Sequence, residues 1–425
     1  MSKQYFIDRE KGGERVVLVQ MHVYRGEHHD HFDEALAEFE ALALSAGADI
    51  VGIVIGKLTD PNPKYFIGTG KADEIAEVVK KYHADLVLFN HELSPAQARN
   101  CEALFECRVH DRSELILDIF SQRARTFEGQ LQVELAQLQH MSTRLVHGWT
   151  HLERQKGGIG LRGPGETQLE TDRRLIANRI KVIKKRLEKV QTQREQNRRK
   201  RLRSEMPLIA IVGYTNAGKS TLFNALTSSN IYVANQLFST LDTTMHRITL
   251  PKIGKTIMVD TVGFIQQLPH ELIAAFKATL EETRQADLLL HVIDASTENS
   301  VDRIAAVNHV LNEIGASDVP QLQVMNKIDL SPQLQPRIDY SEKKLPKRVW
   351  VSSQENTGLD LLRDAIVSLL SQRMVSCLLT LQPTQGRLRA KLYELGVVKN
   401  ETIKDDCWVM KLEIQQADFE RLCQE

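Results

Sequence analysis

The chain has 425 residues, with 55 Lys/Arg against 55 Asp/Glu and a formal net charge of zero. That length is more than one core serves and predicts about three domains. Five cysteines (Cys101, Cys107, Cys377, Cys407, Cys423) lack C-x-x-C spacing, which points away from a disulfide framework or zinc site and towards a reducing cytoplasm; no apolar run reaches the roughly 18 residues of a membrane span, and the N-terminus carries no signal-peptide pattern.

Residues 1–120 alternate strand and helix patterns. Arg15–Val23 and residues 50–58 read as strands, and Phe32, Leu36, Phe39 and Leu42 form a helical stripe between them. Residues 71–83 read as a helix, Leu86–Phe89 as a strand and residues 95–107 as a helix. This alternation predicts a small α/β domain with a largely parallel sheet. Gly68-Thr69-Gly70-Lys71 opens one of the helices. A helix start behind a Gly turn suits an anion, but two glycines and a lysine are also what an ordinary turn needs. The turn is the preferred reading, with a second phosphate or RNA contact as the alternative.

From residue 121 to 204 the pattern is a long helical hairpin. Leu131, Leu135, Leu138 and Leu145 share one face, with Ser142 in the skipped turn; Ile176, Ile180, Ile183, Leu187 and Val190 repeat as a heptad-like seam. Two such helices make an antiparallel arm, and thirty helical residues would extend about 45 Å. The joining loop, residues 154–165, holds five glycines and Pro164, with Arg154, Lys156 and Arg162 among them and Ile159 and Leu161 beside them. A tip of that kind suits insertion into folded RNA, the plain alternative being a flexible hinge. Thr167 and Glu170 fit a capping box for the second helix. Residues 173–203 carry fourteen Lys/Arg and two Asp/Glu, a net of +12 in a chain whose remainder is −12. A solvated helix face mixes signs; a one-signed run this dense is a footprint for RNA or DNA. Anionic membrane is the other candidate, but the apolar stripe is already committed to the seam, so a peripheral membrane contact is left open and not favoured.

Residues 205–373 carry the chemistry. Leu208 to Val212 is an apolar strand, and Gly213-Tyr214-Thr215-Asn216-Ala217-Gly218-Lys219-Ser220 follows as G-x-x-x-x-G-K-[ST], opening a helix. The glycines let backbone N–H groups wrap a polyphosphate, Lys219 reaches its β- and γ-phosphates, and Ser220 ligates Mg²⁺. Downstream, Asp260-Thr261-Val262-Gly263 ends a strand as D-x-x-G: Asp260 holds Mg²⁺ through water and the Gly263 N–H meets the γ-phosphate. Asn326-Lys327-Ile328-Asp329 selects the base, because the Asp329 carboxylate accepts two hydrogen bonds from guanine that adenine cannot supply. Asn326 braces the loop and the Lys327 stem covers the ring. Val349 to Ser353 reads as a last strand ending at Ser352-Ser353, where a backbone N–H meets the guanine O6, and Gln354 beside them completes the nucleotide-binding set. Four motifs in this order predict a Mg²⁺-dependent domain that binds GTP and GDP. Residues 374–425 read as a small α+β unit, with strands at 377–381 and 408–414, helices at 386–395 and 417–423, and no catalytic constellation; partner or RNA docking is the expectation.

The stretches 151–174, 212–224 and 260–283 together resemble the HflX family, within the Obg–HflX group of translation-factor-related GTPases, and the likeness covers nearly the whole chain. The resemblance implies a cytoplasmic GTPase that binds the large ribosomal subunit and its ribosomal RNA and splits or rescues stalled ribosomes under stress; a monomer is expected. Phe238-Ser239-Thr240-Leu241-Asp242 resembles the family's F-A-T-L-D, which makes Thr240 a Mg²⁺ ligand with Ser220 and Asp260. Thr243 and Thr244 are its rivals, and Thr243 stands where the family usually has proline. The catalytic set so implied is Lys219, Thr240, Gly263 and Asn216, the last at the place where potassium-dependent members of the group bind K⁺. Phe264 follows the D-x-x-G where Ras-like enzymes have a water-orienting glutamine, so hydrolysis is expected to be slow alone and activated from outside. The rival reading is an RNA-remodelling or ribosome-assembly module in which GTP only locks a conformation and the N-terminal domain, with ATP, does the work.

Overall fold

The computed structural model describes residues 13–23, 32–148, 164–202, 206–227, 238, 244–251, 253–265, 280–297, 300–371, 374–394, 397–404 and 407–415. Its first unit is built from β1 (Arg15–Val23), α1 (Phe32–Ser45), β2 (Asp49–Leu58), α2 (Thr69–Tyr82), β3 (Leu86–Phe89), α3 (Pro95–Phe105), β4 (Arg108–His110) and α4 (Arg112–Arg123). The four strands pair in parallel in the order β2-β1-β3-β4. β1 lies inside the sheet, and Val16, Val17, Leu18 and Val19 are all fully buried, as a strand covered on both faces requires. Phe39 and Leu42 of α1 pack on one face, Ile75 and Val79 of α2 on the other. β4 and α4 are additions to the sequence reading. Glu106 takes a left-handed φ of 58° that stops α3, and three residues of strand are too few to show a period. Asp111 then caps α4 in a reciprocal box with Glu114.

The arm consists of α5 (Phe127–Gly148) and α6 (Pro164–Leu202). Its seam holds as expected where the side chains are described: Leu131, Leu135 and Ile183 are buried, with Leu138, Ile180 and Leu187 packed against them. At 39 residues, α6 is roughly 58 Å long. It begins at Pro164, so Thr167 and Glu170 lie inside the helix and do not cap it; a proline in the first turn, where its missing N–H is harmless, starts the helix instead. Tip residues 154–163 lie outside the described residues.

The third unit contains β5 (Leu208–Gly213), α7 (Lys219–Thr227), β6 (Thr244–Leu250), β7 (Gly254–Asp260), β8 (Leu288–Asp294), α8 (Ser300–Glu313), β9 (Gln321–Asn326), β10 (Arg337–Tyr340), β11 (Pro346–Trp350) and α9 (Leu359–Ser371). The sheet order is β10-β11-β9-β8-β5-β7-β6, parallel through the middle with antiparallel strands β10 and β6 at the edges. The sheet order turns back on itself around β5, between β7 and β8, which is where open α/β sheets bind ligands. The last unit is an antiparallel sheet, β12 (Met374–Leu381), β14 (Cys407–Gln415) and β13 (Val398–Lys404), covered by α10 (Gly386–Glu394). The helix expected at 417–423 lies outside the described residues. Among the described residues no helix is long and apolar enough to cross a membrane.

Ile183 is fully buried in the seam. Ile183→Ala is expected to weaken the arm by about 2–5 kcal/mol, read as faster amide exchange in α5 and α6 with unchanged exchange in β5, β7 and β8.

Candidate functional site

The expected phosphate loop, D-x-x-G, N-K-x-D and Ser352–Gln354 converge at the carboxyl ends of β5, β7, β9 and β11. Gly213 leaves β5 at φ 153°, and a Cβ there would stand 2.3 Å from the Val292 carbonyl oxygen. Only glycine lets the loop turn this close to β8. Asn216 holds a left-handed φ of 59° at the exposed crest of the loop, a conformation Asn tolerates better than most residues.

Lys219 is buried and its Nζ donates to the Tyr214 carbonyl at 2.7 Å. Burial lowers its pKa to about 8, against the opposing pull of the Asp260 carboxylate. Ser220 Oγ donates to Asp260 Oδ2 at 2.7 Å. A hydroxyl and a carboxylate meeting this closely form a hard-oxygen set of the kind Mg²⁺ takes. Thr261 Oγ1 donates to the Ile211 carbonyl at 2.6 Å, fixing the D-x-x-G to the central strand. Beyond it, the Phe264 N–H donates to Gly213 O at 3.1 Å and the Thr215 N–H to Phe264 O at 2.8 Å. The segment after Gly263 is therefore zipped to the phosphate loop, with the Phe264 side chain in the core.

At the base end, Asn326 joins two loops. Its Nδ2 donates to the Ala217 carbonyl at 2.8 Å, and its Oδ1 accepts from the Ser353 N–H at 3.0 Å and hydroxyl at 2.7 Å. Asp329 accepts from Ser352 Oγ at 2.6 Å, which orients the carboxylate. The Ser352 N–H is spent on the Thr357 carbonyl and the Ser353 N–H on Asn326, so neither serine amide is left for a base oxygen; the exposed Gln354 supplies the next N–H of the turn. Lys327 sits at φ 66° and its Nζ bonds Asp294 Oδ2 at 2.7 Å.

Two contributors escape motif reading. Asp294 fixes Lys327 and also accepts from the Ser296 N–H and hydroxyl; it ends an apolar strand, a place where one carboxylate draws no notice. Glu38, on α1 of the first unit, accepts from the Tyr214 hydroxyl and from Arg112, and no local pattern links it to a loop 176 residues away. Of the expected switch residues, Phe238 is buried against Phe120, ring centroids 4.6 Å apart, while Ser239, Thr240, Leu241 and Asp242 lie outside the described residues. At the other expected anion turn, Lys71 pairs with Glu74 at 2.7 Å, and nothing lies within 4 Å of a Cβ placed on Gly68 or Gly70. That geometry is an ordinary helix start.

Three family models match: "GTP-binding GTPase N-terminal" over residues 33–121, "GTP-binding GTPase Middle Region" over 123–201 and "50S ribosome-binding GTPase" over 208–327. The chain is 55% identical to GTPase HflX of Escherichia coli (strain K12) over 419 residues, 98% of this chain and 97% of that one. It is 44% identical to GTPase HflX of Caldanaerobacter subterraneus subsp. tengcongensis over 392 residues, 92% of this chain and 90% of that one. Among solved structures, a GTP-binding protein of the archaeon Sulfolobus solfataricus in complex with GDP is 26% identical, with a TM-score of 0.43 over 84% of this chain and 99% of that chain.

The buried Lys219 gives a linkage with a definite sign. Free of phosphates, the ammonium is lost as pH rises through about 8; bound phosphates hold it charged to higher pH. GDP binding at pH 8.5 is therefore expected to take up a proton, with affinity falling by up to about tenfold per pH unit above 8 and level below it. Calorimetry in buffers of different ionisation heat measures the uptake.

Proposed function

The chain belongs to the GTPase HflX family, and from that premise we propose that it hydrolyses GTP with Mg²⁺ as a switch on the large ribosomal subunit, splitting or rescuing stalled ribosomes under stress. The hydrolysis of GTP to GDP is the family's activity and agrees with the converged motifs; the ribosomal role is our reading. In it, residues 1–120, 121–204, 205–373 and 374–425 act as N-terminal domain, arm, GTPase domain and C-terminal docking domain of a cytoplasmic monomer.

Ser220, Thr240 and Asp260 would hold Mg²⁺, which would supply positive charge against the phosphates. Lys219 and the Gly263 N–H bind the β- and γ-phosphates, and Asn216 carries K⁺ as a further positive charge. Asp329 accepts from guanine, and the Gln354 N–H meets its O6. With Phe264 in the core, activation comes from the ribosome.

The observation that carries the ribosomal reading is the strongly basic stretch 173–203 of the arm, net +12. Lys181, Lys184, Lys185, Arg186 and Lys189 are all exposed along α6, while the seam that could have met a membrane is filled. Ribosomal RNA is the polyanion such a stripe fits, and the match to a ribosome-binding GTPase model agrees with it.

Binding to large subunits across a salt series tests this. Each Lys–phosphate contact contributes about 0.7 to 0.9 to the slope of log K against log salt. Replacing Lys181, Lys184 and Lys185 together with Gln should lower the slope by about two and leave GTP affinity intact; an unchanged slope would place RNA recognition elsewhere. At the base end, Asp329→Asn should shift preference from GTP to xanthosine triphosphate, since a site built for paired hydrogen bonds rejects a mismatch by roughly 10⁴. Competition between the two nucleotides measures the shift.

A further inference from the structure

The Phe264 side chain is 3% exposed and lies among core residues, and its backbone is bonded on both sides to the phosphate loop. The residue after the D-x-x-G thus has neither the chemistry nor the direction to orient water. The polar groups of the cradle are mostly assigned: the Tyr214 hydroxyl to Glu38, Lys219 Nζ to the Tyr214 carbonyl, Ser220 Oγ to Asp260 and Thr261 Oγ1 to Ile211.

Thr215 differs. It is 4% exposed, and its Oγ1 is sealed from solvent with no hydrogen-bond partner among the described residues. Leaving a hydroxyl so placed costs about 1–3 kcal/mol, which a cradle that gains a ligand recovers. Its position is also fixed. A Cβ built on Gly263 would stand 2.9 Å from Thr215 Cγ2 and 3.0 Å from Lys219 Nζ, so the Thr215 methyl and the Lys219 ammonium flank Gly263, the glycine whose N–H the D-x-x-G motif assigns to the terminal phosphate. The Thr215 N–H, bonded to Phe264 O at 2.8 Å, holds the residue there.

We propose that Thr215 supplies the water-orienting hydroxyl of this GTPase, in place of the side chain that Phe264 does not provide. Oγ1 accepts a hydrogen bond from the attacking water and donates its own proton to a γ-phosphate oxygen. The water oxygen bonds to Pγ as the bond from Pγ to the β–γ bridging oxygen breaks, its electron pair leaving with GDP; the water's proton passes to the released phosphate. The hydroxyl stays neutral throughout.

The step belongs to the chain itself, so the test uses the full-length protein without ribosomes and its outcome is separate from that of the ribosomal reading. Single-turnover GTP hydrolysis, affinity for a non-hydrolysable GTP analogue and capture of GDP with aluminium fluoride are compared for Thr215→Ser, Thr215→Ala and Thr215→Val. Misplacing one reacting partner costs about 10²-fold, so Ala and Val should lose 10- to 100-fold in rate, on the order expected of a lost positioning group, and should capture aluminium fluoride poorly. Ala should lose clearly more in rate than in affinity for the analogue, because the contact to the attacking water adds to the one with the γ-phosphate only on the way to the transition state, and Ser should hydrolyse GTP at the parent rate. Full activity in Ala, a rate loss in Ser equal to that in Ala, or analogue affinity falling in step with rate in Ala would each overturn the assignment. The last two would assign Thr215 to methyl packing or to ground-state binding.

Discussion

One side chain makes the nucleotide site a single piece. Asn326 donates to Ala217 in the phosphate loop, 109 residues earlier in the chain, and accepts from Ser353 in the last loop. A Cβ on Gly218 would stand 2.3 Å from the Asn326 Nδ2, so the second glycine of the phosphate loop is there for the asparagine as much as for the phosphates. The base-reading loop and the phosphate cradle cannot move independently while these bonds hold. Burial makes them count, since a broken bond would leave a buried amide unpaired at a cost of about 1–3 kcal/mol.

The cradle also leans on the first unit. The Tyr214 hydroxyl bonds Glu38, Glu38 accepts from Arg112, Arg112 donates to Asn90, and Asn90 donates to Gln20 inside the parallel sheet. Arg303 covers the other side, its guanidinium 5.3 Å from the Tyr214 ring centre. α4 is the element these contacts share. Its first residue is Arg112, its Phe120 meets Phe238 next to switch I, and Glu114 and its cap Asp111 pair with Arg144 on the arm. Burial pushes the Asp111 carboxyl up, while against its own burial Glu114 is held down by the neighbouring His140, His110 and Arg144, so Arg144 closes a charged cluster at the arm's root. α4 thus touches both the arm, at Arg144, and the Glu38 that bonds the phosphate-loop tyrosine.

The parts legible in the sequence are those whose physics is local. The phosphate loop, D-x-x-G and N-K-x-D each show their chemistry within eight residues, and the structure brings them together. The seam of the arm was legible because Leu131, Leu135, Ile180, Ile183 and Leu187 repeat at helical spacing. What sequence reading missed is non-local or short. α4 followed a three-residue strand that no window resolves. Glu38 and Asp294 act on residues far along the chain, where an isolated carboxylate has no pattern. The capping box at Thr167–Glu170 failed because Pro164 starts the helix earlier, and proline in a first turn outranks a later box. The edge strands β6 and β10 carry mixed burial, so neither alternation nor an apolar run marked them.

Asn326 ties the nucleotide site together, Phe264 is buried beside it, and the arm with its net positive α6 is rooted on α4. The most direct measurement is the steady-state GTP hydrolysis rate of the full chain alone, with isolated small subunits and with isolated large subunits, at one salt concentration. The account predicts slow turnover alone and with small subunits, and a rise of roughly 10³-fold or more with large subunits, the scale an external activator reaches in related phosphoryl transfer. Fast turnover without ribosomes, or equal rates with the two subunits, would contradict it.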